Sequence, residues 1–190
     1  MTHAKGGCFT GTVFQLDREL FSWVSRQHNP VLDQAMPALS RAADHGLLWL
    51  GVTALLMTSP RSTWRRAAAR GVASLAVASL TVNVVAKSAV GRSRPSLEVV
   101  PDARRVRRRP VTTAFPSGHA ASAAAFAVGA AREAPVMAFP LGVLAAGVAL
   151  SRIWTGAHYP ADVIGGAGIG VLVALGLPRA GTRSQRPSFD

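Results

Sequence analysis

The sequence predicts an all-α fold: a polytopic membrane bundle of five spanning helices, preceded by an N-terminal amphipathic helix at the membrane interface. About half of the 190 residues, 49%, are hydrophobic, and the mean hydropathy is positive. Ala, Val, Leu and Gly dominate the apolar content, and small residues allow membrane helices to pack closely. The apolar residues also fall into five blocks that Pro, Gly and charged residues separate, which is typical of helices joined by loops.

The formal charge of +12 narrows the possible partners. Clustered Lys and Arg residues can neutralise nucleic-acid phosphates, but here they lie at the borders of apolar blocks, where lipid headgroups are the expected contact. We therefore expect membrane lipids, and no nucleic acid, as partners. The single cysteine, Cys8, excludes an intramolecular disulfide and a Cys cluster for zinc or iron–sulfur. The composition predicts no oligomeric state.

The N-terminal segment, residues 1–45, is expected to lie at the membrane surface. Within residues 14–24 the apolar side chains recur with helical spacing, and Asp17, Arg18 and Glu19 cluster on the other side, as in an interfacial helix. A surface helix packed on a soluble core would give the same pattern, so the neighbouring blocks decide between the two.

The five apolar blocks form the predicted membrane-embedded core, residues 46–178. Only two of them approach the ~20 residues that cross a bilayer, and the short ones alone would also suit buried helices of a soluble protein. Short blocks can be extended through ionisable residues, which inside a membrane are functional candidates: Asp44, His45, His119 and Asp162. The blocks are residues 46–59, 71–90, 120–131, 134–154 and 163–177.

The longest connection, residues 95–115, carries an arginine run. A loop of this length is usually functional or disordered, and we assign the run to a solvated stretch that contacts headgroups. The tail, residues 179–190, has no apolar run to bury and is expected to be disordered. The arginines of the run are Arg104, Arg105, Arg107, Arg108 and Arg109.

Successive membrane helices alternate in direction, and this brings three polar clusters to one membrane face. A purely structural role would not require the clusters to share a side, whereas an active site does. The clusters are Lys87 with Arg94 at the exit of the second block, Ser117 to His119 at the entry of the third, and Arg152 and His158 at the exit of the fourth with Asp162 at the entry of the fifth.

The first two clusters offer groups suited to phosphate. Lys supplies a compact charge and Arg a planar fork for two phosphate oxygens, although both also simply mark the headgroup region. Ser117 and Gly118 stand at a helix start, where free N–H groups bind anions, and His119 beside them can give a proton to a departing oxygen. A capping Ser117 and a snorkelling His119 are the alternative.

The third cluster places His158 and Asp162 four residues apart. A shared helical face, or a turn at Pro160, brings the two side chains together. An Asp bound to one ring nitrogen leaves the other free to attack phosphorus, and histidine is an accepted covalent nucleophile. An N-cap role for Asp162 and a His–Asp metal site are the alternatives, but cationic surroundings disfavour a divalent ion. We predict no metal and no cofactor.

Together the segments KSAVGRSRP, PSGH and SRIWTGAHYPAD resemble the three-part signature of the type 2 phosphatidic acid phosphatase superfamily at each defining position. The resemblance spans residues 86–162 and implies a helical-bundle lipid phosphatase that needs no metal. It implies that His158 attacks phosphorus to form a phosphohistidine, that Asp162 orients it and that His119 protonates the leaving group. It also implies a set of phosphate-binding residues: Lys87, Arg94, Ser117, Gly118 and Arg152.

The resemblance leaves the substrate open. Polyprenyl-linked substrates, such as a polyprenyl-phosphoryl pentose phosphate or a polyprenyl diphosphate, are favoured because the short chain is similar to compact bacterial members of the superfamily. Phosphatidic acid and phosphatidylglycerol phosphate are the alternatives. The superfamily's soluble vanadate-dependent haloperoxidases are larger and lack spanning helices, and an anionic-lipid-binding protein without catalysis is the alternative of another class. The expected location is a bacterial plasma membrane, with the side of the active site undetermined.

Overall fold

A computed structural model describes residues 6–86, 91–105 and 113–178, and these residues form helices and no strand. The all-α prediction is confirmed for this part of the chain, whereas the predicted disordered tail, residues 179–190, lies outside it. The helices are α1 (Gly6–Arg26), α2 (Pro30–Ala42), α3 (Leu47–Met57), α4 (Ser62–Leu80), α5 (Gly118–Ala131), α6 (Ala138–Trp154) and α7 (Pro160–Gly176). A π-helical turn, Thr81–Ala86, continues α4, and 3₁₀ turns lie at Asp44–Gly46, Leu97–Val99, Asp102–Arg104 and Pro135–Met137.

Helix α5 is the centre of the bundle, packed between α4 and α7 and against α6. Its contact faces are mostly alanine and glycine, and most of its residues are buried. A Cβ on Gly129 would lie 2.4 Å from Ser74 Oγ of α4, and one on Gly170 of α7 would lie 2.2 Å from Ala121 O. Small residues therefore set the distances between these helices, as in membrane bundles.

The outer surface of the bundle is apolar. Large hydrophobic side chains point outward from α3, α4, α6 and α7, among them Leu55, Leu80, Phe139, Ile164 and Leu172. Soluble proteins rarely expose apolar surface on this scale. The pattern is consistent with a membrane location.

Two helical stretches of the described residues are long and apolar enough to cross a membrane, Ser62–Val84 and Pro135–Trp154. They correspond to the two longest predicted blocks, although the first begins at Ser62 rather than near residue 71 because Arg65, Arg66 and Arg70 are also helical. The stretches Asp44–Met57 and Pro160–Gly176 are apolar but shorter.

The N-terminal segment contains two helices where the sequence predicts one. In α2, Asn29 Oδ1 accepts hydrogen bonds from Val31 N at 3.0 Å and Leu32 N at 3.1 Å, and Pro30 follows as the first helical residue, a favourable helix start. The interior Pro37 hides this helix from the sequence pattern, because proline removes one helical hydrogen bond.

Part of the predicted polar side of α1 faces the protein interior. Leu16, Leu20 and Trp23 are exposed, as expected for an interfacial helix, but Asp17 is buried and only 5% exposed. The prediction that Asp17 lies on the solvated face is therefore wrong. Asp17 is instead held by partners from the site described below.

The assignment of the arginine run to a solvated stretch is wrong for Arg104. Its side chain is 1% exposed, its Nε lies 2.5 Å from Asp33 Oδ1, and its guanidinium stacks on Trp154 at 4.6 Å. It also donates a hydrogen bond to Gln27 O. Arg104 therefore clamps the long loop onto α1, α2 and α6, while Arg107, Arg108 and Arg109 lie outside the described residues.

Candidate active site

The segments that carry the predicted motifs are joined to one another by hydrogen bonds. Arg94 Nη1, on the loop after α4, donates to Ala157 O at 2.8 Å in the turn between α6 and α7. Ser117 N, just before α5, donates to Asp162 O at 2.9 Å at the start of α7. Sequence-distant segments therefore meet at one end of the bundle.

A cavity of about 320 Å³ opens at this meeting point. Of the eight predicted site residues, Lys87 lies outside the described residues, while Ser117 and Asp162 are buried behind the cavity wall. The other five predicted residues line the cavity: Arg94, Gly118, His119, Arg152 and His158. The structure thus brings the two histidines and two arginines around one space.

His158 lies in the turn between α6 and α7 and is only 2% exposed. Arg94 Nη1 is 3.3 Å from its Nε2. Because a guanidinium only donates hydrogen bonds, this contact assigns Nε2 as an acceptor and places the ring hydrogen on Nδ1. Nδ1 faces Asp162 Oδ2 at 3.7 Å, which is longer than a hydrogen bond.

The charge state of His158 follows from these surroundings. Burial lowers the pKa of His158, and the cations of Arg94 and Arg152 lower it further, while the carboxylate of Asp162 acts in the opposite direction. The imidazole is therefore neutral at neutral pH. A neutral ring with hydrogen on Nδ1 has a lone pair on Nε2, the form that can attack phosphorus.

Asp162 is fully buried and held by several donors. Its Oδ2 accepts from Tyr159 N at 2.9 Å. The N-cap residue of α7 is Tyr159 and not Asp162, so the alternative of an N-cap role for Asp162 is wrong, although Asp162 does bond back to the N-cap from the first turn of the helix. Its Oδ1 accepts from Arg92 Nη1 at 2.7 Å, and the other Nη of Arg92 pairs with Asp17. Arg92 thus connects α1 to the carboxylate beside His158.

The second histidine has its own carboxylate partner. His119 Nε2 lies 2.9 Å from Asp44 Oδ1, so His119 does not simply extend toward the membrane surface. Arg152, 3% exposed, donates to Ser40 Oγ, and its Nη1 is 3.8 Å from the same Asp44 oxygen. Asp44 therefore stands between a cavity histidine and a cavity arginine.

Ser117 is the N-cap residue of α5. Its Oγ accepts from Ala120 N at 3.5 Å and its side chain is completely buried. The helix begins at Gly118, so the positive end of its dipole points toward the cavity, as an anion site requires.

Sequence reasoning missed the site contacts of Asp44, Arg92 and Asp17. The signal available for Asp44 was an ionisable residue at the edge of an apolar block, which marked it as a candidate without a role. Arg92 was visible only as an extra cation inside the first motif. Nothing in the sequence pairs Asp17 with residues so far along the chain.

Gly166 of α7 allows the segment before α5 to approach, and its substitution gives a testable result. A Cβ at this position would lie 2.3 Å from Ser117 O and 3.1 Å from Ser117 N. We expect Gly166→Ala to lower stability by about 1–3 kcal/mol, as overpacked sites do. Because a shift of about 1 Å can cost about 10²-fold in rate, the turnover number should also fall by at least about tenfold, measured beside thermal unfolding in detergent.

Gly168→Ala is the matched control, since a Cβ on this neighbouring glycine meets no atom within 4 Å. It should leave both stability and turnover at the wild-type level. Normal stability and turnover in Gly166→Ala would show that the close approach to Ser117 is not needed.

The fold and the cavity define a class of protein, an all-helical membrane protein with histidines and arginines around one anion-sized space. Residues 67–186 match the PAP2 superfamily, and the chain belongs to this family. It is therefore a hydrolase of the lipid phosphatase type.

Known proteins show how far the similarity reaches. The chain is 36% identical over 132 residues, 68% of each chain, to a decaprenylphosphoryl-5-phosphoribose phosphatase of Mycolicibacterium smegmatis. Its fold is similar to that of a transmembrane PAP2-type phosphatidylglycerolphosphate phosphatase from Bacillus subtilis, with a TM-score of 0.66, 22% identity and coverage of 86% of this chain and 83% of the other. Aquifex aeolicus LpxE gives a TM-score of 0.64 at 22% identity, covering 84% and 93%. At this identity the two structures support the fold alone.

Proposed function

We propose that this protein hydrolyses a lipid-linked phosphomonoester through a phosphohistidine on His158. The observation that carries the proposal is the cavity that His158, His119, Arg94 and Arg152 share. The imidazole of His158 provides a nucleophile, the imidazole of His119 provides an acid, and the two guanidiniums bind the negative charge of a phosphoryl group.

In the first step the phosphate occupies the cavity. Arg94, Arg152 and the N–H groups at the start of α5 bind its non-bridging oxygens, with Ser117 holding that helix start in place. Lys87 is proposed as a further phosphate ligand from its place in the first motif. His158 Nε2 attacks phosphorus as the bond between phosphorus and the leaving oxygen of the substrate breaks, and His119 gives that oxygen a proton.

In the second step water hydrolyses the phosphohistidine. His119, now neutral, takes a proton from the attacking water, and the nitrogen–phosphorus bond breaks with its electron pair returning to His158. Asp162 supports both steps by facing Nδ1–H of His158. The 3.7 Å separation should shorten to about 2.6–3.2 Å with substrate bound, since catalytic hydrogen bonds are often long without substrate.

The proposed substrate is a polyprenyl-phosphoryl pentose phosphate. Support comes from the name of the Mycolicibacterium smegmatis relative, a decaprenylphosphoryl-5-phosphoribose phosphatase. The cavity also extends beyond the histidines and arginines to the hydroxyl groups of Ser79 and Ser122 and to the apolar side chains of Trp49 and Leu75. A sugar between the reacting phosphate and the lipid chain would contact both kinds of surface.

We further propose that α3, α4, α5, α6 and α7 all cross a bacterial plasma membrane, with α1 at its interface. The exposed apolar side chains of the outer helices and the two long apolar stretches support this topology. Helices α3, α5 and α7 are short, so the membrane would be crossed by them together with the polar residues at their ends.

The reaction is proposed to need no metal. The cavity lining combines three histidines, His45, His119 and His158, with the cations of Arg94 and Arg152. The two cations oppose a divalent ion and take over its interactions with the phosphate oxygens. Among the described residues, no three or more His, Cys, Asp or Glu side chains form a metal-binding group.

A substrate panel with the full chain purified in detergent tests the proposal. Phosphate release should show its highest kcat/KM with a polyprenyl-phosphoryl pentose phosphate, above polyprenyl diphosphate, phosphatidic acid and phosphatidylglycerol phosphate. Activity should also survive EDTA.

Each part of the proposal has its own contrary result. A preference for phosphatidic acid or phosphatidylglycerol phosphate would reassign the substrate, and loss in EDTA that one divalent ion restores would reinstate a metal. Binding to anionic vesicles without hydrolysis of any substrate would leave only a lipid-binding protein.

A further inference from the structure

We propose that Asp44 is a positioning residue for the leaving-group proton, acting through His119. The inference rests on the proposed phosphatase mechanism and adds a residue outside the three sequence motifs. Asp44 belongs to the 3₁₀ turn between α2 and α3, far in sequence from His119.

The contact with Asp44 gives the two ring nitrogens of His119 different roles, one toward Asp44 and one toward the substrate. Asp44 Oδ1 lies 2.9 Å from Nε2, so Nε2–H donates to the carboxylate. Nδ1 is then the nitrogen left for the reacting group. Asp44 itself does not line the cavity, whereas His119 does.

The backbone of the Asp44 turn is shaped for this contact. The next two residues, His45 and Gly46, both adopt left-handed conformations with φ of 54° and 76°. Non-glycine residues rarely adopt this conformation, and such residues cluster at functional sites. The turn leads from α2 directly into the cavity wall, because Ala43, His45 and Gly46 all line the cavity.

The proton balance gives Asp44 its role. In the first step the bond between phosphorus and the leaving oxygen breaks, and that oxygen takes its proton from Nδ1–H of the His119 imidazolium. The neutral ring keeps its hydrogen on Nε2, bound to Asp44, and Nδ1 has a free lone pair. In the second step that lone pair accepts the proton of the attacking water. The ring is partly buried and lies near the cation of Arg152, and both oppose its charged form. The carboxylate of Asp44 and the negative charge of bound phosphate favour the imidazolium, and Asp44 keeps the same nitrogen facing the substrate in both steps.

The test compares leaving groups. An alkyl phosphate needs a proton on its departing oxygen, whereas p-nitrophenyl phosphate releases a stable anion without one. Asp44→Asn should lower kcat/KM for the lipid phosphate by about 10–100-fold, the usual effect of removing a carboxylate behind a functional histidine. For p-nitrophenyl phosphate the loss should be less than about threefold.

A double-substitution cycle separates this role from general damage. If Asp44 acts through His119, Asp44→Asn should cost nothing further in a His119→Asn background. Asp44→Glu should recover part of the lipid phosphatase activity. Asp102→Asn is the matched control, because this aspartate is 86% exposed and contacts only Arg105 on the long loop among the ion pairs of the described residues.

The possible failures are distinguishable. Equal losses on both substrates would assign Asp44 to Arg152 and phosphate binding, and additive losses in the double variant would remove the coupling to His119. Either result overturns the inference while the phosphatase proposal stands. A wild-type protein that hydrolyses no phosphate ester overturns both.

Discussion

Replacing His158 with Ala is expected to lower kcat for lipid phosphate hydrolysis by at least about 10⁴-fold, the scale of losing a residue that forms the covalent bond. Arg94 lies 3.3 Å from Nε2 of His158, and Asp162 faces Nδ1. Inorganic phosphate release from purified, folded protein measures the loss.

His28→Ala is the matched control for this substitution. His28 is 78% exposed and pairs with Asp33 between α1 and α2, away from the cavity. Its replacement should leave turnover unchanged. Full activity in a correctly folded His158→Ala protein would remove His158 as the nucleophile.

Replacing His119 with Asn is expected to lower kcat/KM for the lipid phosphate by about 10²–10⁴-fold, the usual contribution of a general acid. The loss should shrink to less than about tenfold with p-nitrophenyl phosphate. The value of kcat/KM depends only on the steps up to the first irreversible one. Comparing it between the two substrates therefore measures the departure of the leaving group and not the later attack of water.

The two substrates are internal controls for each other, because misfolding or a lost phosphate contact lowers both values together. An equal loss on the lipid and aryl substrates would show that His119 binds phosphate without donating a proton. The acid would then have to be sought among the other cavity residues.

The parts of the site that could be predicted are those that depend on short sequence motifs. Arg94, His119, Arg152 and His158 lie at helix ends or in the connections beside them, and the predicted alternation of helix direction places them on one side. The turn at Pro160 likewise follows from proline's restriction of the preceding residue. The cavity that the four residues share follows from these local rules.

The parts that could not be predicted depend on long-range packing. Asp44 contacts His119, and Asp17 contacts Arg92, only because α1, the α2–α3 turn and the central bundle pack against each other. A charged residue on an amphipathic helix is usually solvated, and Asp17 departs from that rule because Arg92 and Ala161 N are its donors.

The burial of Arg104 also could not be predicted from the sequence. In sequence it belongs to a run of arginines, and such a run usually contacts solvent or headgroups. In the structure Asp33 neutralises it and Trp154 covers it. Helix α2, which contains Pro37 in its interior, could not be predicted because its stability depends on its cap and its packing more than on its internal pattern.

Covalent trapping tests the central claim most directly. Wild-type protein mixed with substrate labelled in the reacting phosphate and quenched within one turnover should carry label that is stable in alkali, labile in acid and located on the peptide containing His158. The His158→Ala protein should carry none. Turnover without labelled protein, or label on any other residue, would contradict the account.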